Sequence, residues 1–167
     1  MERTLDSTLL HLTRTRMLRD YPGQIHACLG LLDEAQIWWR PNEQANAAAN
    51  ILLHLAGSNR YYLEQVIAGR DIARNRDEEL AARGGYSKAQ IRETWDHALR
   101  VTDEVLQSLA PSQMTQATDR TGKATTYGQI LLHVTHHNAT HMGQIVWMTK
   151  MLHPGALDDI WMKMRER

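Results

Sequence analysis

Four histidines, His133, His136, His137 and His141, fall within nine consecutive residues. Imidazole is a nitrogen ligand for divalent metals and titrates near neutral pH, so the cluster could carry coordination or proton chemistry. On a helix, residues four apart lie on one face, a turn from each other. His137 and His141 therefore project side by side, and both can reach a single ion at about 2.0–2.1 Å. They share a stripe with Ile130, Val134, Ile145 and Met148, the apolar and inward face. His133 sits at the edge of that stripe, and His136 points away toward solvent or a partner chain. The spacing leaves two readings open. The pair is either the helical half of a metal site or two histidines that hydrogen-bond within the core.

A metal site needs a further ligand from another element. His54 is the best candidate, because it lies inside Ala48-Ala49-Asn50-Ile51-Leu52-Leu53-His54-Leu55, where a lone imidazole must lose its hydration. Taken singly, it also fits a buried histidine satisfied by hydrogen bonds. His11, His97 and His153 are poorer candidates, being near a helix start, off an apolar stripe and past a helix end. Ser58, Tyr61 and Gln65 follow His54 along its stripe, and Gln144 follows His141. These either orient the ring nitrogens or form ordinary solvated flanks.

Several chemistries are excluded. A zincin needs glutamate directly after the first histidine, and Asn138 stands there. No Glu-x-x-His pair offers a di-iron carboxylate site. Neither a glycine-rich phosphate loop nor a nucleophile elbow is present. Cys28, the single cysteine, rules out an intrachain disulfide and a thiolate-rich zinc site, and between Ala27 and Leu29 it reads as a core residue.

The elements that must position these residues are helices. Alternating β-branched runs are missing, while helical periodicity is strong. The first helix is expected over about Leu5–Asp33, with Pro22 kinking it or opening its second part. The second is expected from an N-cap at Asn46 to about Ala68, ending at Gly69. Residues 70–86 form a charged connection, long for a helix hairpin, that either crosses the bundle or folds over a site as a lid. Ser87 and Gln90 make a capping box for a third helix ending near Ala110-Pro111, with Ile91, Trp95, Ala98, Val105 and Leu109 as its stripe. Thr126 and Gln129 open the fourth, which runs to about Leu152 and stops at His153-Pro154-Gly155. A short apolar tail, Ile160-Trp161-Met162, is expected to pack back on the body.

With 167 residues, the chain suits one domain over 1–167. Nineteen basic residues balance 19 acidic ones, so no positive field draws it to nucleic acid. Met1-Glu2-Arg3-Thr4-Leu5-Asp6 carries charges where a signal peptide needs an apolar stretch, and no apolar run approaches membrane-spanning length. A cytoplasmic protein without membrane attachment is expected.

Two segments resemble the DinB/YfiT-like superfamily of metal-binding four-helix bundles. One runs from Trp38-Trp39-Arg40-Pro41-Asn42 through Asn46 to Leu53-His54-Leu55-Ala56-Gly57-Ser58-Asn59. The other is His133-Val134-Thr135-His136-His137-Asn138-Ala139-Thr140-His141-Met142-Gly143-Gln144-Ile145. The stretch Arg74-Asn75-Arg76-Asp77-Glu78-Glu79 also looks like a charged loop of one branch. The resemblance implies an all-α, four-helix bundle of up-down-down-up topology with a crossover between helices 2 and 3. It further implies a three-histidine site on His54, His137 and His141 holding zinc or nickel, and a homodimer. It points to a metal-dependent transferase that activates a low-molecular-weight thiol such as bacillithiol or mycothiol. A metal-activated-water hydrolase and a non-enzymatic metal-binding or stress-response module are the alternatives. No further catalytic residue is assigned.

Overall fold

The Thr4 hydroxyl accepts a hydrogen bond from the Ser7 backbone N–H at 3.2 Å, and this cap starts α1 (Leu5–Thr15). In the computed structural model, which describes residues 4–158, α1 runs on through a π-helical stretch, Arg16–Asp20, into α2 (Tyr21–Leu31). Pro22 explains the change of pitch. It has no N–H to offer the preceding turn, and a wider turn ahead of it accommodates the missing bond. Pro22 thus opens the second part of the rod, as one of the two expectations had it.

A 3₁₀ turn, Gln36–Trp38, leads to α3 (Ala48–Asn59), which continues as a π-helical stretch, Arg60–Ile67. The N-cap position belongs to Ala47, not to the expected Asn46. Asn50 is the reason, since its buried side-chain oxygen accepts the Ala47 N–H at 3.2 Å and satisfies that end from inside the helix. Gly69 ends the rod with a φ of +72°, a left-handed conformation that suits glycine.

The charged connection is not bare loop. It contains α4 (Arg76–Ala81), which Asn75 caps by accepting the Glu78 N–H at 3.3 Å. Asp77, Glu78 and Glu79 fill its first turn, where the helix dipole favours negative charge. Asn50 Nδ2 donates to the carbonyls of Glu79 (3.0 Å) and Ala82 (2.9 Å), and Trp38 Nε1 donates to that of Tyr86 (3.1 Å). The segment is thereby strapped to the N-terminal half of α3.

The capping boxes of α5 (Lys88–Ser108) and α6 (Tyr127–Leu152) form as their sequences predict. Between them, the pattern had given no sign of β1 (Ala117–Thr118) and β2 (Thr125–Thr126), a two-residue antiparallel ladder. Thr126 serves both as a rung of that ladder and as the N-cap of α6. The expected tail at Ile160-Trp161-Met162 lies outside the described residues.

All of the long elements are α-helical. The rod formed by α3 and its π-helical continuation packs on α5, and α6 lies against α1, α2 and α3. Two apolar clusters form the core. One gathers Ile25, Leu52, Leu55, Ile91, Trp95, Met142 and Ile145, and the other gathers Met17, Leu63, Val66, Leu106, Ile130, Leu131 and Val134. Cys28 belongs to the first, and burial pushes its thiol pKa up, as suits a packing residue. Among the described residues no helix is long and apolar enough to cross a membrane.

Where α3 passes into its π-helical continuation, and near the middle of α6, a polar layer lies between the two apolar clusters. Asn59 and Asn138 are both buried there and exchange amide hydrogen bonds of 3.2 and 2.7 Å. Asn138 therefore joins two helices at the position where a zincin would carry its glutamate. Asn138→Ala leaves both polar ends of the Asn59 amide unpaired, a loss of about 1–3 kcal/mol. A fall in Tm of about 3–10 °C is expected by circular dichroism, and a fall below 1 °C would show that the pair does not join the helices.

Candidate metal centre

His54 comes from α3, and His137 and His141 come from successive turns of α6. On α3, His54 precedes Leu55 and Ala56 of the first cluster and is only 8 % exposed. The three rings meet. His137 Nε2 lies 3.2 Å from His54 Nε2 and 3.1 Å from His141 Nε2. One nitrogen from each residue lies within 4.8 Å of the other two, so the three histidines could hold one metal ion.

The outer ring nitrogens decide what faces the centre. His54 Nδ1 lies 3.2 Å from Glu79 Oε2. A carboxylate only accepts and lies nearer than Arg74 Nη2, which approaches the same nitrogen at 3.4 Å, so the contact favours a proton on His54 Nδ1. His141 Nδ1 donates likewise to Gln144 Oε1 at 2.7 Å. Both rings therefore turn an unprotonated Nε2 inward, toward the Nε2 of His137. A single proton on His137 could satisfy only one of those two lone pairs. Its own Nδ1 is buried with no partner, so the cluster cannot close its hydrogen bonding internally. A divalent cation fits this donor set. Imidazole nitrogens about 2.0–2.1 Å from a tetrahedral ion stand roughly 3.3 Å apart, close to the spacing observed.

Two of the three rings, His137 and His141, are held toward the neutral form. Burial is the main reason that the pKa of His137 falls from 6.5 to about 4, and the neighbouring His141, His54, His133 and Arg74 add to it. Burial also lowers His141, aided by His54 and partly offset by the Gln144 hydrogen bond. Burial alone would raise the pKa of Glu79. Hydrogen bonds from Arg74 and His54, with the charge of Arg74, outweigh it and hold the carboxyl below the usual range.

Glu79 and Arg74 are the site residues that sequence reasoning missed. Arg74 Nε and Nη2 each bond the carboxylate at 2.8 Å, a bidentate pair, while the Arg74 guanidinium lies 6.0 Å from the Tyr61 ring centre. The charged stretch 74–79 was the available signal, but nothing in its spacing aimed it at His54. Of the four polar residues proposed to orient the rings, Gln144 does so and Tyr61 lies under Arg74. Ser58 and Gln65 make no hydrogen bond to the three histidines among the described residues. His133 stands outside the convergent set. Its ring stacks on His137 at 5.7 Å and meets Tyr62 edge-on at 4.8 Å. His136 and His97 are exposed.

Beside His141, Gln144 also borders a cavity of about 280 Å³ with Ile51, Trp147, Met148 and Pro41.

The lowered pKa of His137 has a consequence for metal-free protein. Between pH 6.5 and 4 the unfolded chain binds this proton and the folded chain does not. Stability should therefore fall as pH drops through that window, by about 1–2 kcal/mol after allowance for partial solvation. Thermal melts from pH 7 to 4.5 check this. His137→Asn should flatten the slope, and an identical slope in the variant would remove His137 as its cause.

Among curated proteins, none matches this chain. A family model described as "Protein of unknown function (DUF1572)" matches residues 6–163, nearly the full length. The chain belongs to the DUF1572 family.

Proposed function

We propose that this protein binds one divalent metal ion, zinc or nickel, through His54, His137 and His141, and uses it as a thiol transferase. The convergence of three unprotonated-capable Nε2 atoms from two helices is the observation that carries this reading. The likeness of the His137 to Ile145 segment to DinB/YfiT-like proteins supports it. So does the pairing of helix ends, which fits an up-down-down-up bundle with a crossover between its second and third long helices. Lys88 Nζ at the start of α5 donates to the Leu32 carbonyl just after α2, and the Tyr127 hydroxyl at the start of α6 donates to Ile67.

Three neutral protein ligands leave at least one coordination position open, the arrangement of catalytic rather than structural zinc. Bound there, the cation supplies Lewis acidity that brings the pKa of a coordinated thiol toward neutrality. The chain's residues supply the rest. Glu79 and Gln144 hold the His54 and His141 rings in the metal-binding tautomer, and burial keeps His137 unprotonated. In the transfer, sulfur bonds an electrophilic carbon, the thiol proton passes to solvent, and the leaving group departs with the bonding pair. The cavity beside Gln144, with Gln44 and Asn46 as well as Trp147 and Met148 in its wall, suits an electrophile with both polar and apolar parts. The working form is proposed to be a cytoplasmic homodimer with a small-molecule thiol as partner.

Metal analysis of untagged protein should find about one zinc or nickel per chain. His54→Ala and His137→Ala should each lose it, and chelation should lower the Tm of wild-type protein only. Reloaded protein should conjugate low-molecular-weight thiols to model electrophiles. Turnover of an ester or amide without thiol would instead favour a hydrolase, and metal binding with neither activity would leave a binding module.

A further inference from the structure

Gly57 stands inside α3, in ordinary helical conformation, with no turn to require it. A helix-interior glycine is less favourable than alanine by about 0.8–1.0 kcal/mol, so its place needs another reason. A Cβ at position 57 would lie 2.0 Å from Glu79 Oε1, 2.8 Å from Glu79 Cδ and 2.9 Å from Arg74 Nε. The groups it would displace are those that bond His54 from the strap.

We propose that Gly57, Arg74 and Glu79 form one positioning device for His54: the missing side chain at 57 lets the Arg74–Glu79 pair cross the surface of α3, where it fixes the His54 ring and tautomer. The inference rests on the three-histidine metal reading. The Arg74 and Glu79 side chains are only 16 % and 12 % exposed. Ion pairs so far out of water add little net stability, because desolvation offsets the attraction. Stapling the strap is also done elsewhere, by Asn50 on the Glu79 and Ala82 carbonyls and by Trp38 on Tyr86. What the pair adds is a buried acceptor on His54 Nδ1, which directs the opposite nitrogen inward and makes it a better ligand. Arg74 in turn holds the carboxylate ionised and aimed.

Gly57→Ala separates this role from a structural one. The displaced atoms are the ends of flexible side chains, and alanine favours the helix. The full chain is stripped of metal, and Zn²⁺ and Ni²⁺ affinities are measured by competition with a chromophoric chelator. Wild type, Gly57→Ala, Glu79→Ala, Glu79→Gln and His54→Ala are compared, with the Tm of each metal-free protein. Gly57→Ala and Glu79→Ala should bind about 10–100-fold more weakly, while metal-free Gly57→Ala melts at or above the wild-type temperature. Glu79→Gln keeps an acceptor oxygen and should lose less. Affinities of Gly57→Ala and Glu79→Ala within twofold of wild type, with His54→Ala defective, would overturn the device and leave the metal site standing. Wild-type protein that binds neither ion, or His54→Ala that binds as wild type does, would overturn the metal reading as well.

Discussion

Two lone pairs that face a third nitrogen across about 3 Å cannot all be satisfied by protons alone. The constraint governs the middle of this protein, where His54 Nε2 and His141 Nε2 both point at His137 Nε2. The polar layer they occupy lies between two apolar clusters, where an unmet buried polar atom is costly. The surrounding structure is arranged around that cost. Glu79 and Gln144 take the outward protons, Asn59 and Asn138 close on each other, and burial favours neutral His137 and His141. Only the centre is left unclosed, where the three nitrogens could hold a cation.

The strap over residues 70–87 follows from the same constraint. An imidazole at the edge of an apolar cluster needs a partner on its far nitrogen, and α3 itself has none to offer. The partner comes instead from α4, whose cap and acidic first turn make it a stable short helix. Asn50 at the N-terminal end of α3 ties the backbone of α4 down, and Gly57 leaves room for its side chains. One helix thus carries the histidine, the anchor for its support and the gap through which the support reaches it.

Much of this was legible in the residues. The periodicity of α5 and α6, both capping boxes, the Gly69 stop and the inward face of His137 and His141 depend on contacts within a few residues, which spacing encodes directly. The shift of the cap from Asn46 to Ala47, the π-helical stretches, α4 and the small ladder were not. Each depends on a partner elsewhere: Asn50 bonding Ala47 N–H from inside the helix, Pro22 unsettling the turn before it, Thr126 pairing with Ala117. The Arg74–Glu79 stretch carried visible charge but no visible target.

By itself, then, the sequence determined that the chain is helical, that two imidazoles share a face of α6, and that a third sits in an apolar run where it must find partners. These are properties of periodicity and hydration, and they act along one segment at a time. Tertiary structure alone decided that His54 meets that pair, that Glu79 and Arg74 stand behind it, and that a glycine is needed between them. Those outcomes depend on how distant helices pack, because a hydrogen bond or a clash across 25 residues of sequence exists only once both ends occupy the same few ångströms.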